Sequence, residues 1–401
     1  FKSLESENVE ICGLKQNIFN YGDNLENNEF NNILKKIKIE HLANYVKLNS
    51  GKYFQVEILG SKPYYETYNR SPILQLEFTY NIIKELIKNK KITNMVILNG
   101  MSLTGFASVL GAIKYDIPNI FWENGLIKNS LILDTQGTNF FSKLSDNFKN
   151  EKINLRGFTK FNTTDKDFFS ILKKRKNILI CLQLDSDTNI ICNSPFVNTY
   201  HFLTMIIENI LELSDGFFTL RIHPKTRNIE AIKSWIKEKN KKDRIKLDMA
   251  KNKVEKAIEE NDLIITINST VGFESICKKK EVIFFGETTF TNLLPNYTFN
   301  INSQKISYKY FNYHFSKESY NLILKSLKNN SILIDRKFNK ENKTLIEKII
   351  DTKDLPFILK NHNYPEKIKF KVKNVNSPPR LFNLILSSFN KKLKILFSIL
   401  K

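Results

Sequence analysis

The sequence predicts an α/β protein built from two open domains, with a helical segment after them. Three observations predict it. Short runs rich in Ile, Val and Phe alternate with amphipathic stretches, the pattern of parallel strands joined by crossover helices. The alternation occurs twice, on either side of a polar, Asn-rich stretch between about 139 and 174. And a chain of 401 residues, 41% of them apolar, is too long for one ordinary core and rich enough for two.

The elements follow in order. "YFQVEIL" (Tyr53 to Leu59) reads as a strand. "SPILQLEFTYNIIKELIKNKK" reads as a helix with an apolar stripe and a basic end, as the helix dipole prefers. "TNMVILNG" is a buried strand ending at Asn99-Gly100, "TGFASVLGAIKYDI" a helix, and "NIFWENG" a short strand. After the polar stretch the pattern restarts. "KNILICLQL", "GFFTLRI", "DLIITIN" and "EVIFFG" read as strands. "NTYHFLTMIIENILEL", "NIEAIKSWIKEKN" and "STVGFESICKKK" read as the helices between them. This gives domains at 1–150 and 175–300, a GT-B-like plan of two Rossmann-like domains with the ligand in the cleft between them. The region 301–401 reads as a helical cap ending in a basic amphipathic tail. No internal repeat is visible.

The formal charge of +21 suits nucleic acid, an anionic membrane surface or acidic small molecules. Nucleic acid is set aside, because no zinc-finger spacing, aromatic RNA-binding signature or Gly-flanked basic arm is present. Cys12, Cys181, Cys192 and Cys277 show no CxxC spacing and read as reduced thiols of a cytosolic protein. No secretory signal and no apolar run of membrane-spanning length is visible. From Lys360 to Lys401, ten Lys or Arg face one acid, Glu366. The stretch "RLFNLILSSFNKKLKILFSILK" has the spacing of a basic amphipathic helix. Such a helix lies peripherally on an anionic membrane or packs on the body of its protein. The expected location is cytoplasmic, with peripheral contact at the inner membrane.

Four strand ends carry polar groups. Glu123-Asn124-Gly125 follows "NIFW", a carboxylate at a tight turn and a candidate acid/base. Gln183, Asp185 and Asp187 share one face if the strand through "LQLDSD" continues, so paired carboxylates and a metal site are both open readings. His223-Pro224 ends "FFTLRI", with Lys225 and Arg227 beside it, a docking point for an anion. "ITINSTVGFESI" runs from a strand into Ser269-Thr270 at a helix start. That is either a simple N-cap or an anion cradle, with Glu274 one turn on and within reach of a ribose. No Walker or GxGxxG motif is present, which excludes the usual kinase and dehydrogenase readings.

Taken in order, "FWENGLI", "LILDTQGTN", "LQLDSDTN", "RIHPKTR" and "INSTVGFESI" resemble bacterial glycosyltransferases that use CMP-activated ulosonic acids, and most of all the retaining β-Kdo transferases. The resemblance covers roughly residues 90 to 290. It implies a CMP-Kdo donor, a saccharide or lipid-linked glycan acceptor, and no metal or other cofactor. It makes 1–150 the acceptor side and 175–300 the CMP-sugar side. It implies Asp187, not Asp185, as nucleophile and Glu123 as acid/base at the acceptor hydroxyl. It implies that His223 holds or protonates the departing phosphate. Ser269, Thr270 and Glu274 would bind phosphate and ribose, with Pro224, Lys225, Gln183, Asn124 and Gly125 lining the donor site. Thr138 stands where close relatives would carry Val, and only one catalytic module is visible where longer capsule enzymes carry two. The alternatives are an inverting CMP-sialic acid transferase and a non-catalytic glycan- or membrane-binding protein.

Overall fold

The structure is a computed structural model that describes residues 28–49, 72–126, 130–147, 172–185, 187–196, 198–226, 229–240, 243–291, 297–300, 307–312, 331–333 and 354–361. The strand expected at Tyr53–Leu59, Arg227 and the basic tail beyond residue 361 lie outside the described residues.

The first half begins with helices α1 (Asn28–Leu34), α2 (Ile39–Asn49) and α3 (Pro72–Lys90). Strand β1 (Met95–Leu98), helix α4 (Leu103–Tyr115) and strand β2 (Asn119–Asn124) form a parallel crossover unit. Ser102 starts α4 by accepting the Gly105 N–H at 3.1 Å, and Asp116 ends it in the left-handed region at φ 52°. The apolar face of α4 buries Phe106, Val109 and Leu110 against α3 and Phe121 of β2. Beyond β2 the expected parallel alternation stops. Strand β3 (Ser130–Asp134) turns back as an antiparallel hairpin partner, because only a short turn separates the two strands.

The second half is a seven-stranded sheet ordered β6-β5-β4-β7-β8-β10-β9. Its parallel core is β4 (Asn177–Cys181), β5 (Phe217–Arg221), β6 (Ile245–Asp248), β7 (Leu263–Thr266) and β8 (Glu281–Phe284). All four residues of β7 are buried, as expected for a strand covered on both faces. The helices are α5 (Thr188–Asn193), α6, α7 (Ile229–Lys239), α8 (Val254–Glu259) and α9 (Thr270–Cys277). Helix α6 runs through Thr199–Phe202, a π turn at Leu203–Ile207 and Glu208–Leu213. Every strand and helix expected between 175 and 286 is present. Strand β6 and helix α8 were not anticipated, because Lys246 and a run of charges mask their short apolar cores.

Within 301–401, where a helical cap is expected, the described residues include two strands, and a third lies just before it. Strands β9 (Tyr297–Asn300) and β10 (Ser307–Asn312) extend the second sheet, β10 running antiparallel to β8. Strand β11 (Ser331–Leu333) returns to the first half and pairs antiparallel with β3. The aromatics in "YTFN" and "SYKYFN" favour strand over helix, and each segment is too short to hold a helix alone. Residues 354–361 also rejoin the first half. The Phe357 N–H donates to the Gln136 carbonyl at 2.8 Å, and its ring stacks on Phe141 at 4.8 Å. The first half is therefore assembled from both ends of the described chain.

Candidate active site

The order of the parallel strands locates the site. Strands β4 to β8 lie in the order third, second, first, fourth, fifth, so the chain reverses its direction of travel between β4 and β7. The connections leaving those two strands diverge and open a crevice at their carboxyl ends. The segment after β4 carries Gln183 and Asp187, the segment after β7 carries Asn268 and Ser269, and the segment after β5, next to β4, carries His223.

Strand β4 ends at Cys181, so Gln183, Asp185 and Asp187 do not share one strand face. Asp185 accepts the Thr199 N–H at 2.8 Å and is spent on the start of α6. Asp187 caps α5, its Oδ1 accepting the Asn189 N–H at 2.9 Å, while its Oδ2 accepts from Gln183 Nε2 at 3.2 Å. Burial pushes the Asp187 pKa above the ordinary carboxylate value, against the pull of Asn189, Gln183 and the nearby His223.

His223 is half-buried at the start of a turn closed by the Thr226 N–H on the His223 carbonyl at 2.8 Å. The Lys225 backbone N–H donates to His223 Nδ1 at 3.1 Å. A backbone amide can only donate, so Nδ1 is the acceptor and the neutral ring carries its proton on Nε2. Burial lowers the His223 pKa, Asp187 raises it and Lys225 lowers it further. The ring therefore offers a neutral N–H donor near pH 7. Pro224 and Lys225 are exposed in this turn, and Lys225 acts on the ring through its backbone.

Ser269 accepts the Val271 N–H at 3.3 Å and caps α9, so the capping reading holds for its side chain. Thr270, exposed, opens the helix, and Glu274 lies half-buried one turn later. Gln183 differs most from its expected place lining the donor site. It is 6% exposed, and both ends of its amide are used inside the protein, on Asp187 and Asn268.

Glu123 is the penultimate residue of β2 in the first half. Asn99 Nδ2 donates to its Oε2 at 2.9 Å, and the Asn124 N–H to its Oε1 at 3.2 Å. Asn99 sits in the left-handed region at φ 60°, with its Oδ1 accepting the Met101 N–H at 3.3 Å. That bond turns the amide nitrogen toward the carboxylate. Gly125 is required by close approach, since a Cβ there would lie 2.0 Å from Ser130 Oγ and 3.0 Å from the Ser130 carbonyl. Asn99 and Asn268 are the site residues the sequence did not single out. Each stands at a strand end beside a motif that was noticed, which was the only available signal.

The two halves meet through shared apolar clusters. Cys192 of α5 is buried in one cluster with Phe121 and Phe141, and Leu126, just past Gly125, packs on another with Val271 of α9. Thus the helix capped by Asp187 and the strand that carries Glu123 are packed into one cluster. Among the described residues, no group of three or more His, Cys, Asp or Glu could hold a metal ion, and no helix is long and apolar enough to cross a membrane. Cys181 and Cys192 are buried, and Cys277 is exposed.

Fold and site together define an α/β protein with a polar crevice at the switch point of its larger sheet, the place where such folds bind small ligands. Residues 152–293, which contain β4 through β8, match the family described as Capsule polysaccharide biosynthesis protein. Protein FixF of Sinorhizobium fredii is 23% identical over 204 residues, 49% of this chain and 49% of that protein. The chain thus spans about half the length of the curated relative it matches. Among solved structures, the β Kdo 2,7 transferase of Thermosulfurimonas dismutans KpsC is similar at 16% identity over 62% of this chain and 89% of that one, with a TM-score of 0.31. Methanocaldococcus jannaschii UDP-GlcNAc 2-epimerase is similar at 16% identity over 61% and 80%, with a TM-score of 0.30.

Proposed function

We propose that the chain is a retaining glycosyltransferase that moves Kdo from CMP-Kdo to a saccharide acceptor in the synthesis of a surface polysaccharide such as capsule, O-antigen or lipopolysaccharide. The observation that carries this reading is a buried carboxylate, Asp187, oriented by two donors at the switch point of the sheet and close enough to His223 for their charges to interact. The motif order and the match of residues 152–293 to the capsule biosynthesis family support it.

In this reading the donor lies across the crevice with its phosphate toward His223 Nε2 and the start of α9. Asp187 attacks the anomeric carbon of Kdo. A carbon–oxygen bond to the carboxylate forms, the bond to the phosphate oxygen breaks, and CMP leaves with the electron pair. His223 donates a hydrogen bond to the departing phosphate, and the α9 dipole opposes its charge. The acceptor hydroxyl then attacks the same carbon, Asp187 leaves as carboxylate, and Glu123 takes the hydroxyl proton. Two inversions give net retention. No step in this scheme calls on a metal.

The test is intact-protein mass spectrometry with fresh CMP-Kdo and, in parallel, CMP-sialic acid, both without acceptor. The expected result is a Kdo-sized adduct mapping to Asp187 and absent in Asp187→Asn. CMP release from CMP-sialic acid alone, with no adduct, would replace this reading with an inverting sialyltransferase.

A further inference from the structure

Gln183 can adopt two amide orientations that differ by exchange of its oxygen and nitrogen. The neighbours decide between them. The Asn268 backbone N–H lies 3.0 Å from Gln183 Oε1 and can only donate. The oxygen is therefore fixed at that end. The nitrogen lies at the other, where Nε2 reaches Asn268 Oδ1 at 3.0 Å and Asp187 Oδ2 at 3.2 Å. Asn268 is itself locked, because its Nδ2 faces the carbonyls of Asn189 at 2.8 Å, Asn193 at 3.3 Å and Glu287 at 3.3 Å. Turning the Gln183 amide over would set its oxygen against the Asp187 carboxylate and the Asn268 oxygen, and its NH₂ against a backbone N–H. Three favourable contacts would become three unfavourable ones. Both amides are buried, Gln183 6% and Asn268 4% exposed, where mispaired polar groups are costly.

We propose that Asn268 is the positioning residue of this site: it locks Gln183 so that its donor, not its oxygen, meets Asp187, which favours the carboxylate form and holds its Oδ2 in place. The inference rests on Asp187 being the reacting group of the function proposed above. The geometry adds a route across the switch point, from the carbonyls of α5 and of Glu287, past the end of β8, through Asn268 and Gln183 to Asp187. Burial works against ionisation of Asp187 and Gln183 works for it. The titratable groups around Asp187 are His223, with Lys225 beside it, on the turn after β5, and Asp185 on its own segment, which is engaged by Thr199.

The test titrates Asp187 by carbon-13 NMR on full-length protein labelled at the Asp carboxyl carbon, with no donor present. Asp187→Asn assigns the resonance. Two variants are compared with the wild type. Asn268→Ala releases the Gln183 amide. Gln183→Glu keeps an acceptor for the Asn268 N–H but sets a carboxylate against Asp187, so the test stands even where Asn268→Ala fails to fold. The expected result is a midpoint moved up by about one pH unit or more in Gln183→Glu, and in the same direction in folded Asn268→Ala. With CMP-Kdo, adduct formation by Gln183→Glu should fall at neutral pH in proportion to the Asp187 fraction protonated there, and recover as the pH is raised. An unmoved midpoint in Gln183→Glu overturns the inference. A moved midpoint in a protein that forms no adduct with CMP-Kdo leaves the positioning intact and removes the donor assignment instead.

Discussion

Asp187 and Glu123 are held alike, each by amide donors that trace to an asparagine at the end of the neighbouring strand. Asn99 at the end of β1 serves Glu123 on β2, and Asn268 at the end of β7 serves Asp187 after β4 through Gln183. At Asp187 these donors favour the ionised carboxylate, the form that a nucleophile needs, against the burial that raises its pKa. His223 complements them as a neutral donor whose proton is fixed on Nε2 by Lys225. If His223 acts by hydrogen bonding rather than by giving up a proton, a glutamine amide should replace part of its work. His223→Ala should slow CMP release from the donor roughly 10²-fold, and His223→Gln distinctly less, read by stopped-flow or coupled assay. Equal losses in both variants would point to proton transfer, and no loss in either would remove His223 from the site.

At the scale of the element, the start of α9 is fixed by how the helix packs. Gly272 faces β8 so closely that a Cβ would lie 2.2 Å from Phe284 Cζ and 2.4 Å from Phe284 Cε1. Phe284 is fully buried in the sheet and has no room to withdraw. Gly272→Ala should therefore destabilise the protein by about 2 kcal/mol, seen as a lower urea midpoint at unchanged slope. An unchanged midpoint would mean that α9 can lift from the sheet, and that the position of Ser269 and Thr270 is less constrained than the packing indicates.

The whole molecule depends on the loop after β3, which reaches into both halves. Phe141 enters the cluster of the first half, and Leu144 that of the second sheet. Asp134 organises the loop by accepting the Gln136, Gly137 and Lys143 N–H groups at 2.7, 3.1 and 2.9 Å. The segment 354–361 clamps it from outside, with Asp354 on Thr135 and Lys143, and Lys360 on Gln136. Burial raises the Asp134 pKa to about 6, against the pull of those N–H groups. A folded pKa above the unfolded one contributes stability that is fully present below the unfolded value and lost as the pH rises through about 6. The wild type should thus exceed Asp134→Asn in stability by on the order of 1 kcal/mol more at pH 5 than at pH 7.5. Urea titrations of both proteins at the two pH values measure this. A gap that does not change with pH would show that Asp134 is already ionised throughout.

The sequence by itself determined the second sheet and the strand ends that bear the site. Long buried strands such as "DLIITIN" must be apolar throughout, and polar groups can appear only where each strand stops, so both are written in local pattern. The capping of α9 by Ser269 was equally local. Tertiary structure alone decided the rest. The return of β11 and residues 354–361 to the first half pairs distant segments, which no local period encodes. Asp185 and Asp187 look alike in "LDSD", yet one is tied to Thr199 and the other to Gln183 and Asn189, because β4 ends before them. Gln183, read as a donor-site group, turned inward once Asn268, 85 residues away, supplied a backbone N–H that its oxygen could accept. A side chain's hydrogen bonds depend on what the fold brings beside it, and only the folded chain sets those neighbours.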